Sequence, residues 1–204
     1  MDASILVLGG GTFFHVRNHL SIAAPAFGTT ARWLAEQLPH AQLVLTKMAD
    51  AASTLETNED VAIFIQNALR SKNLKCIVMN VAMCDYDGQI DDVPSGKHSR
   101  RLKSRKGRQI MNLKPSKKII ATIKNQRPDI CLVGFKTTTH HLPEEQIEAA
   151  MTMMEGSQCD FVFANDTVTR YNMLINNQGA ILVASKDRQE VLKGLVDQIQ
   201  EQKI

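Results

Sequence analysis

The sequence predicts an α/β fold: a Rossmann-like, doubly wound and mostly parallel sheet with a C-terminal antiparallel hairpin at its edge. Short apolar runs alternate along the chain with longer amphipathic stretches, which is typical of consecutive β-α-β units. The short runs are apolar almost throughout, as expected for parallel strands that helices cover on both faces. The turn sequence Asn176-Asn177-Gln178-Gly179 joins the last two runs and favours a hairpin at the sheet edge.

The predicted elements follow one another in this alternating order. We expect strands at residues 5–8, 42–45, 75–79, 130–134, 160–164, 173–175 and 180–184. We expect helices at residues 30–38, 59–71, 117–125, 144–154 and 187–200. One domain over residues 1–204 accommodates all of them, because a chain of this length with 44% hydrophobic residues can bury one full core.

Composition argues against several classes of protein. No apolar run reaches the roughly 18 residues that a membrane span needs, and the N-terminus lacks the basic region of a signal peptide. The four cysteines form no CxxC pair, and their spacing disfavours disulfides and a zinc site: Cys76, Cys84, Cys131 and Cys159. We therefore expect a cytoplasmic protein without a membrane partner, and no metal ligands can be named.

One segment, at residues 84–112, breaks the alternating pattern because it is polar, basic and rich in Gly, Ser and Pro. Residues 94–118 contain ten Lys or Arg and no Asp or Glu. A loop of this length in a compact domain is usually functional or disordered. Nucleic-acid binding is one alternative, but the segment lacks the interleaved aromatic residues that would stack on bases. We therefore expect a mobile basic lid.

A glycine-rich turn, Gly9-Gly10-Gly11-Thr12, follows the first predicted strand. Glycines in this position let the backbone approach a phosphate closely. The turn is not a Walker A motif, because no Gly-Lys-Ser/Thr follows it. We interpret it as a phosphate-binding turn, and a plain strand-to-loop turn is the alternative.

The next helix begins only near Gly28, which predicts a long loop after the first strand. This delay disfavours an NAD(P)-dependent oxidoreductase, in which the helix follows the glycine turn directly. Thr46 and Lys47 could still accept a 2′-phosphate, so the oxidoreductase remains an alternative.

The segment at residues 10–28 resembles the start of the phosphopantothenate–cysteine ligases, also called phosphopantothenoylcysteine synthetases, of coenzyme A synthesis. Its Gly-Gly-Thr turn, Val16-Arg17 and Gly28 stand at matching spacing. Four later segments resemble the family in the same order: Val81-Ala82-Met83-Cys84-Asp85-Tyr86, Arg101-Leu102-Lys103-Ser104, Gly134-Phe135-Lys136-Thr137-Thr138-Thr139 and Ala164-Asn165-Asp166. The resemblance covers nearly the whole chain and points to a stand-alone member.

The resemblance implies an acid–amino-acid ligase. Such an enzyme activates the carboxylate of 4′-phosphopantothenate with CTP or ATP in the presence of Mg²⁺, and transfers the acyl group of the acyl-nucleotide to the amine of cysteine. It also implies a homodimer, for which the apolar residues of the last hairpin are a candidate interface.

By the same resemblance, several residues acquire roles. Those near the nucleotide and substrate would be Gly10, Gly11, Thr12, Val81, Ala82, Asp85, Phe135, Lys136 and Asn165. Arg17 would lie near the activated carboxyl group, and Arg101 and Lys103 would belong to the lid over the phosphates.

The sequence departs from the family pattern at the predicted site. Ser21 stands where the family has the asparagine that acts on the acyl-nucleotide, and Ala23-Ala24-Pro25 replaces Ser-Ser-Gly. Arg101 aligns with the lid lysine, and Thr138 stands in place of an acid. A nucleotide-binding homologue with lost or altered catalysis is therefore an alternative to the active ligase.

Overall fold

A central sheet with helices on both faces forms the core of the computed structural model, which describes residues 3–202. The strands are β1 (Ile5–Gly11), β2 (Phe13–Arg17), β3 (Leu20–Ala23), β4 (Ala41–Leu45), β5 (Cys76–Ala82), β6 (Tyr86–Ile90), β7 (Met111–Pro115), β8 (Cys131–Thr138), β9 (Phe161–Asp166), β10 (Asn172–Asn176) and β11 (Ile181–Ser185). The helices are α1 (Thr29–Gln37), α2 (Asn58–Ala68), α3 (Ile123–Gln126), α4 (Pro143–Ser157) and α5 (Arg188–Glu201). Single 3-10 turns lie at Ser104–Lys106 and Ile119–Thr122.

Seven of these strands form the main sheet in the order β11-β10-β9-β8-β5-β1-β4. The strands β4, β1, β5, β8 and β9 are parallel, and β10 and β11 are antiparallel to their neighbours. Apolar residues of α1 and α5 cover one face, and those of α2, α3 and α4 cover the other. The predicted doubly wound α/β fold with its C-terminal hairpin is confirmed.

Local sequence explains where three of the helices begin. Gly28 precedes α1 with a φ of 75°, a left-handed conformation that glycine adopts without strain. Thr57 and Asp60 form a reciprocal capping box at the start of α2. Asp187 accepts a hydrogen bond from the Gln189 N–H at the start of α5.

Two hairpins outside the main sheet were not predicted. The long loop after β1 contains the β2–β3 hairpin. The segment at residues 84–112, which we expected to be one irregular loop, contains β6 and the start of β7, and these pair as a second hairpin. That expectation was wrong because β6 has no alternating apolar pattern, the alternation in β7 is limited to Met111 and Leu113, and 20 mostly polar residues separate the two strands.

One predicted helix is also shorter than expected. Residues 117–125 form a 3-10 turn at Ile119–Thr122, followed by the four-residue α3. Ile123 is fully buried and anchors this short element on the sheet. Within residues 3–202, every helix is too short or too polar to cross a bilayer.

Candidate functional site

A cleft of about 920 Å³ opens at the carboxyl ends of the parallel strands. The strands β5 and β8 pair only as far as Met79 and Gly134, after which β5 follows β1 and β8 follows β9. The carboxyl ends of these two strands line the cleft at residues 79–85 and 135–137. Residues 24–30 after β3, residues 117–121 after β7, residues of α4 and Arg188 complete the lining. Ligands bind at this edge in open α/β sheets.

The charges around the cleft favour an anion. Its lining carries four cationic residues: Lys117, Lys118, Lys136 and Arg188. Asp85 is the one carboxylate among the described residues of the lining, and it is paired with Lys118. This ion pair is exposed and therefore contributes little to stability. A ligand with several negative charges would meet an excess of positive charge here.

Arg188 is a half-buried cation at this site. Its guanidinium carbon lies 4.8 Å above the ring centroid of Phe163. Its donors reach Thr30 Oγ1 at 3.4 Å and Asn172 Oδ1 at 3.5 Å, both long hydrogen bonds. No carboxylate of the described chain lies within ion-pair distance of Arg188, and burial lowers the pKa of its guanidinium. A half-buried guanidinium without a carboxylate partner is suited to an anionic ligand.

The first turn of α1 lies beside Arg188. Gly28, Thr29 and Thr30 all line the cleft, and no side chain caps the helix there. The first backbone N–H groups of a helix have no partner within the helix, and the helix dipole favours negative charge at that end. The helix terminus and Arg188 therefore present donors to the same part of the cleft.

Five of the residues predicted from the sequence line this cleft: Val81, Ala82, Asp85, Phe135 and Lys136. The Phe135 ring stacks on Phe163 with their centroids 5.1 Å apart, which links the cleft to the core beneath it. Asn165 does not line the cleft, but its Oδ1 accepts a hydrogen bond from Thr137 Oγ1 at 3.2 Å, and Thr137 does line it.

The glycine turn lies outside the cleft lining. Gly10 and Gly11 belong to β1 and continue its pairing with β5. A Cβ on Gly10 would lie 2.2 Å from Thr46 Oγ1, and one on Gly11 would lie 2.0 Å from the Ala24 carbonyl oxygen. The structure therefore favours close chain packing over a phosphate cradle as the reason for these glycines.

Thr12 is also structural. It is fully buried, and its Oγ1 donates to Asn58 Oδ1 at 2.7 Å and accepts from the Cys84 N–H at 2.9 Å. These bonds hold the chain after β5 against the end of β1.

Arg17 lies away from the cleft. The resemblance had instead placed it near the activated carboxyl group. Its side chain is only 1% exposed, and it donates to the carbonyl oxygens of Val16 and Ile90. The guanidinium joins the two small hairpins, because Val16 belongs to β2 and Ile90 ends β6.

The remaining predicted residues lie on the surface. Ser21 is exposed on β3, and its Oγ lies 2.8 Å from His15 Nδ1. Arg101 and Lys103 are exposed in the segment between β6 and β7, and neither lines the cleft.

Sequence reasoning missed Thr29, Thr30 and Arg188. The Gly28-Thr29-Thr30 sequence is a recognisable helix start and could have indicated the first two. Arg188 gives no such signal, since it is one of 24 Lys and Arg residues and only the packing of α5 beside α1 brings it to the cleft.

The described residues do not form a site for a resident metal ion. No group of three or more His, Cys, Asp or Glu side chains between residues 3 and 202 is arranged to hold one.

Comparisons with known proteins agree with this architecture. The model of a family described as DNA/pantothenate metabolism flavoprotein C-terminal domain matches residues 40–200. The coenzyme A biosynthesis bifunctional protein CoaBC of Thermococcus kodakarensis is 31% identical over 112 residues, which are 54% of this chain. The match spans only 26% of that curated relative, about a quarter of its length.

Solved structures share the fold over nearly the whole chain. The DNA/pantothenate metabolism flavoprotein of Streptococcus pneumoniae has a TM-score of 0.80 at 22% identity, with 98% of this chain and 99% of that chain covered. A mutant of Cab2 in complex with phosphopantothenate-cysteine has a TM-score of 0.65 at 12% identity, with 98% and 86% covered. At these low sequence identities, the structural similarity establishes the fold alone.

Proposed function

The chain belongs to the family of DNA/pantothenate metabolism flavoprotein C-terminal domains, and from this premise we propose that it is a phosphopantothenate–cysteine ligase-like enzyme of coenzyme A biosynthesis. It would activate 4′-phosphopantothenate with CTP or ATP and join it to cysteine. The observation that carries the proposal is the cationic cleft at the carboxyl edge of the sheet, with Lys136, Arg188 and the start of α1 on its wall. Both the nucleotide and the acid substrate carry phosphate groups, which this cleft is suited to bind.

The reaction would proceed in two steps within the cleft. The carboxylate oxygen of 4′-phosphopantothenate attacks the α-phosphorus of the nucleotide, and pyrophosphate leaves. The amine nitrogen of cysteine then attacks the acyl carbon, the nucleoside monophosphate leaves, and the amine gives up a proton. Lys136 and Arg188 would neutralise the charge on the phosphates, and Phe135 and Asp85 would contact the nucleoside. The exposed segment with Arg101 and Lys103 would cover the phosphates.

Mg²⁺ would enter this reaction as part of the substrate. Asp85 alone among the described cleft residues offers a carboxylate, and it is already paired with Lys118. The protein side chains therefore do not fit a resident Mg²⁺ site. A triphosphate provides oxygen ligands of its own, and Mg²⁺ usually binds through substrate phosphates.

We place this activity in the cytoplasm and assign it to a homodimer. All four cysteines are free thiols, which suits a reducing compartment. The exposed apolar residues Ile181 and Leu182 lie on β11, which is the edge strand of the main sheet. An unpaired strand edge is a ready surface for pairing with another chain.

A nucleotide-binding homologue with lost or altered catalysis is the second candidate. The observation that favours it is the position of Arg17, whose guanidinium is buried between the hairpins and bonded to backbone carbonyls. An arginine held in this way is not available to an acyl-nucleotide. Ser21 likewise brings a hydroxyl where an active ligase of this family would be expected to have an amide.

Pyrophosphate release decides between the two candidates. The purified chain is mixed with Mg²⁺, 4′-phosphopantothenate and either CTP or ATP, with and without cysteine. We expect release with one of the nucleotides and a cysteine adduct by mass spectrometry. Nucleotide binding by calorimetry without any release would refute the ligase and favour the non-catalytic homologue.

A further inference from the structure

A second cluster of polar side chains lies on the β2–β3 hairpin, outside the lining of the cleft. Ser21 of β3 and His15 of β2 are directly paired across the hairpin. Ser21 Oγ lies 2.8 Å from His15 Nδ1, and His15 Nε2 lies 3.5 Å from Glu56 Oε1. A hydroxyl, an imidazole and a carboxylate are thus arranged in a row.

The carboxylate at the end of this row is ionised and held in place. Glu56 Oε2 is paired with Lys97, and it also lies 3.9 Å from the Lys47 ammonium. The hydrogen bond and charge of Lys97, with a smaller contribution from Lys47, lower the pKa of Glu56 despite its partial burial. The two lysines approach Oε2, so Oε1 remains directed at His15.

This arrangement suits one tautomer of the imidazole. An ionised carboxylate can only accept, so a His15 ring with its hydrogen on Nε2 would direct that hydrogen toward Glu56. The lone pair of Nδ1 then faces Ser21, whose hydroxyl donates to it. His15 Nε2 is buried and has no hydrogen-bond partner in the described chain, its contact with Glu56 being an ion-pair distance only. The Phe13 ring stacks on the imidazole, with their centroids 6.2 Å apart.

The hydroxyl end of the row is open to solvent. Ser21 is an exposed residue, whereas His15 and Glu56 have side chains only 15% and 18% exposed. A base screened from water beside a solvent-exposed nucleophile is one part of the arrangement that covalent acyl transfer uses. The general pattern is a nucleophile within hydrogen-bond reach of a base, with a third group orienting that base.

We propose that Ser21, His15 and Glu56 form a nucleophilic relay that accepts acyl groups from activated carboxylic esters. Ser21 Oγ bonds to the acyl carbon and its proton passes to His15 Nδ1, while Glu56 faces the Nε2–H of the resulting imidazolium. The imidazolium returns the proton to the leaving oxygen, and the alcohol departs. Water then attacks the acyl-serine, its proton passes through His15 to Ser21 Oγ, and the carboxylic acid is released.

This activity is separate from the proposed ligase. It consumes only an ester and water, and its three residues lie outside the cleft lining. The ligase assay and the esterase assay therefore succeed or fail independently.

The test uses the full chain with p-nitrophenyl acetate as the ester and a fluorophosphonate as the serine-directed label. We expect hydrolysis by the unmodified protein and a single label on Ser21 by peptide mass spectrometry. Ser21→Ala removes the nucleophile, and His15→Gln keeps a hydrogen-bonding side chain of similar reach without a base. Each is expected to lower the hydrolysis rate by about a hundredfold, the scale of general-base assistance.

Two controls make the result specific. Thr169→Ala removes another exposed hydroxyl and should leave the rate unchanged. Ser21→Cys retains a nucleophile beside His15 and should keep burst-phase acylation, which Ser21→Ala loses. Circular dichroism confirms that each variant is folded. Equal rates for the unmodified protein and folded Ser21→Ala, or a label on a different serine, would overturn the proposal.

Discussion

Gly11 and Ala24 approach so closely that a Cβ on Gly11 would lie 2.0 Å from the Ala24 carbonyl oxygen. Gly11 ends β1, and Ala24 follows β3, so this contact brings the chain back over the end of the first strand after the β2–β3 hairpin. Ala24 is the first residue of the cleft-lining segment at 24–30. The close approach therefore positions one wall of the cleft.

Substitution of Gly11 by Ala should destabilise the fold. The added methyl group would also meet the backbone nitrogen of Ala26 at 2.7 Å, and neither backbone atom can move without shifting the segment. Forcing a methyl group into a packed region costs about 1–3 kcal/mol in the free energy of unfolding. Urea titration followed by circular dichroism measures this difference.

Gly156→Ala is the matched control for that substitution. Gly156 lies in α4, and a Cβ there would have no atom within 4 Å. Alanine in a helix should raise the free energy of unfolding by about 0.4–1 kcal/mol. Equal effects of the two substitutions would contradict the close-packing explanation for Gly11.

Replacement of Arg188 by Gln should weaken the binding of polyphosphates. The guanidinium faces the cleft without a carboxylate partner among residues 3–202, so a phosphate would supply its missing counter-charge. A hydrogen bond to a charged group contributes about 1.5–3 kcal/mol, which corresponds to roughly a 10- to 150-fold change in Kd. Calorimetry with CTP, ATP and inorganic tripolyphosphate measures the change.

Lys193→Ala removes an exposed cation from the same helix and should leave these affinities nearly unchanged. If Arg188→Gln and Lys193→Ala weaken tripolyphosphate binding equally, the effect is one of overall charge and the assignment of Arg188 to the anion site is wrong.

The sequence predicts the main sheet well because its strands depend on local signals. Residues 161–164 are an uninterrupted apolar run, and β9 covers Phe161–Asp166 with these first four residues buried. The strands β6 and β7 lack such a pattern, and only their pairing with each other defines them. A hairpin whose strands are 20 residues apart gives no local turn signal.

The candidate site was predicted less completely, and Phe135 and Gly11 show why. Phe135 lies in β8 directly after the buried residues 132–134, toward the carboxyl end where the fold class itself places the ligand edge. Gly11 occupies the same edge, but whether a glycine faces a ligand or another backbone segment depends on where residues 24–26 cross. That crossing is a tertiary contact without a counterpart in sequence spacing.

Ile181→Glu should convert the proposed homodimer into a monomer. Ile181 is 46% exposed on the edge strand β11, and a charged side chain there would oppose burial against a second copy. Sedimentation velocity measures the mass of the particle.

Val168→Glu is the control. Val168 is 49% exposed in the turn before β10, so this substitution should leave the dimer intact. A monomeric unmodified protein, or a dimeric Ile181→Glu variant, would contradict the proposed interface.

Asp166→Asn should remove part of the acid dependence of stability. Burial alone would raise the pKa of Asp166, but hydrogen bonds from the backbone N–H groups of Thr169, His141 and Val168 and from Thr138 Oγ1 lower it far below its usual range. A carboxyl group with a lowered pKa in the folded state stabilises the protein above its unfolded pKa of about 3.9 and loses this effect as the pH falls further. The difference in the free energy of unfolding between the unmodified protein and Asp166→Asn, measured by urea titration, should therefore be largest at neutral pH and shrink below about pH 4.

Asp197→Asn, at an exposed position of α5, should show no such pH-dependent difference. An Asp166→Asn effect of the same size at pH 7 and pH 3 would show that the bonds to Asp166 do not depend on its charge.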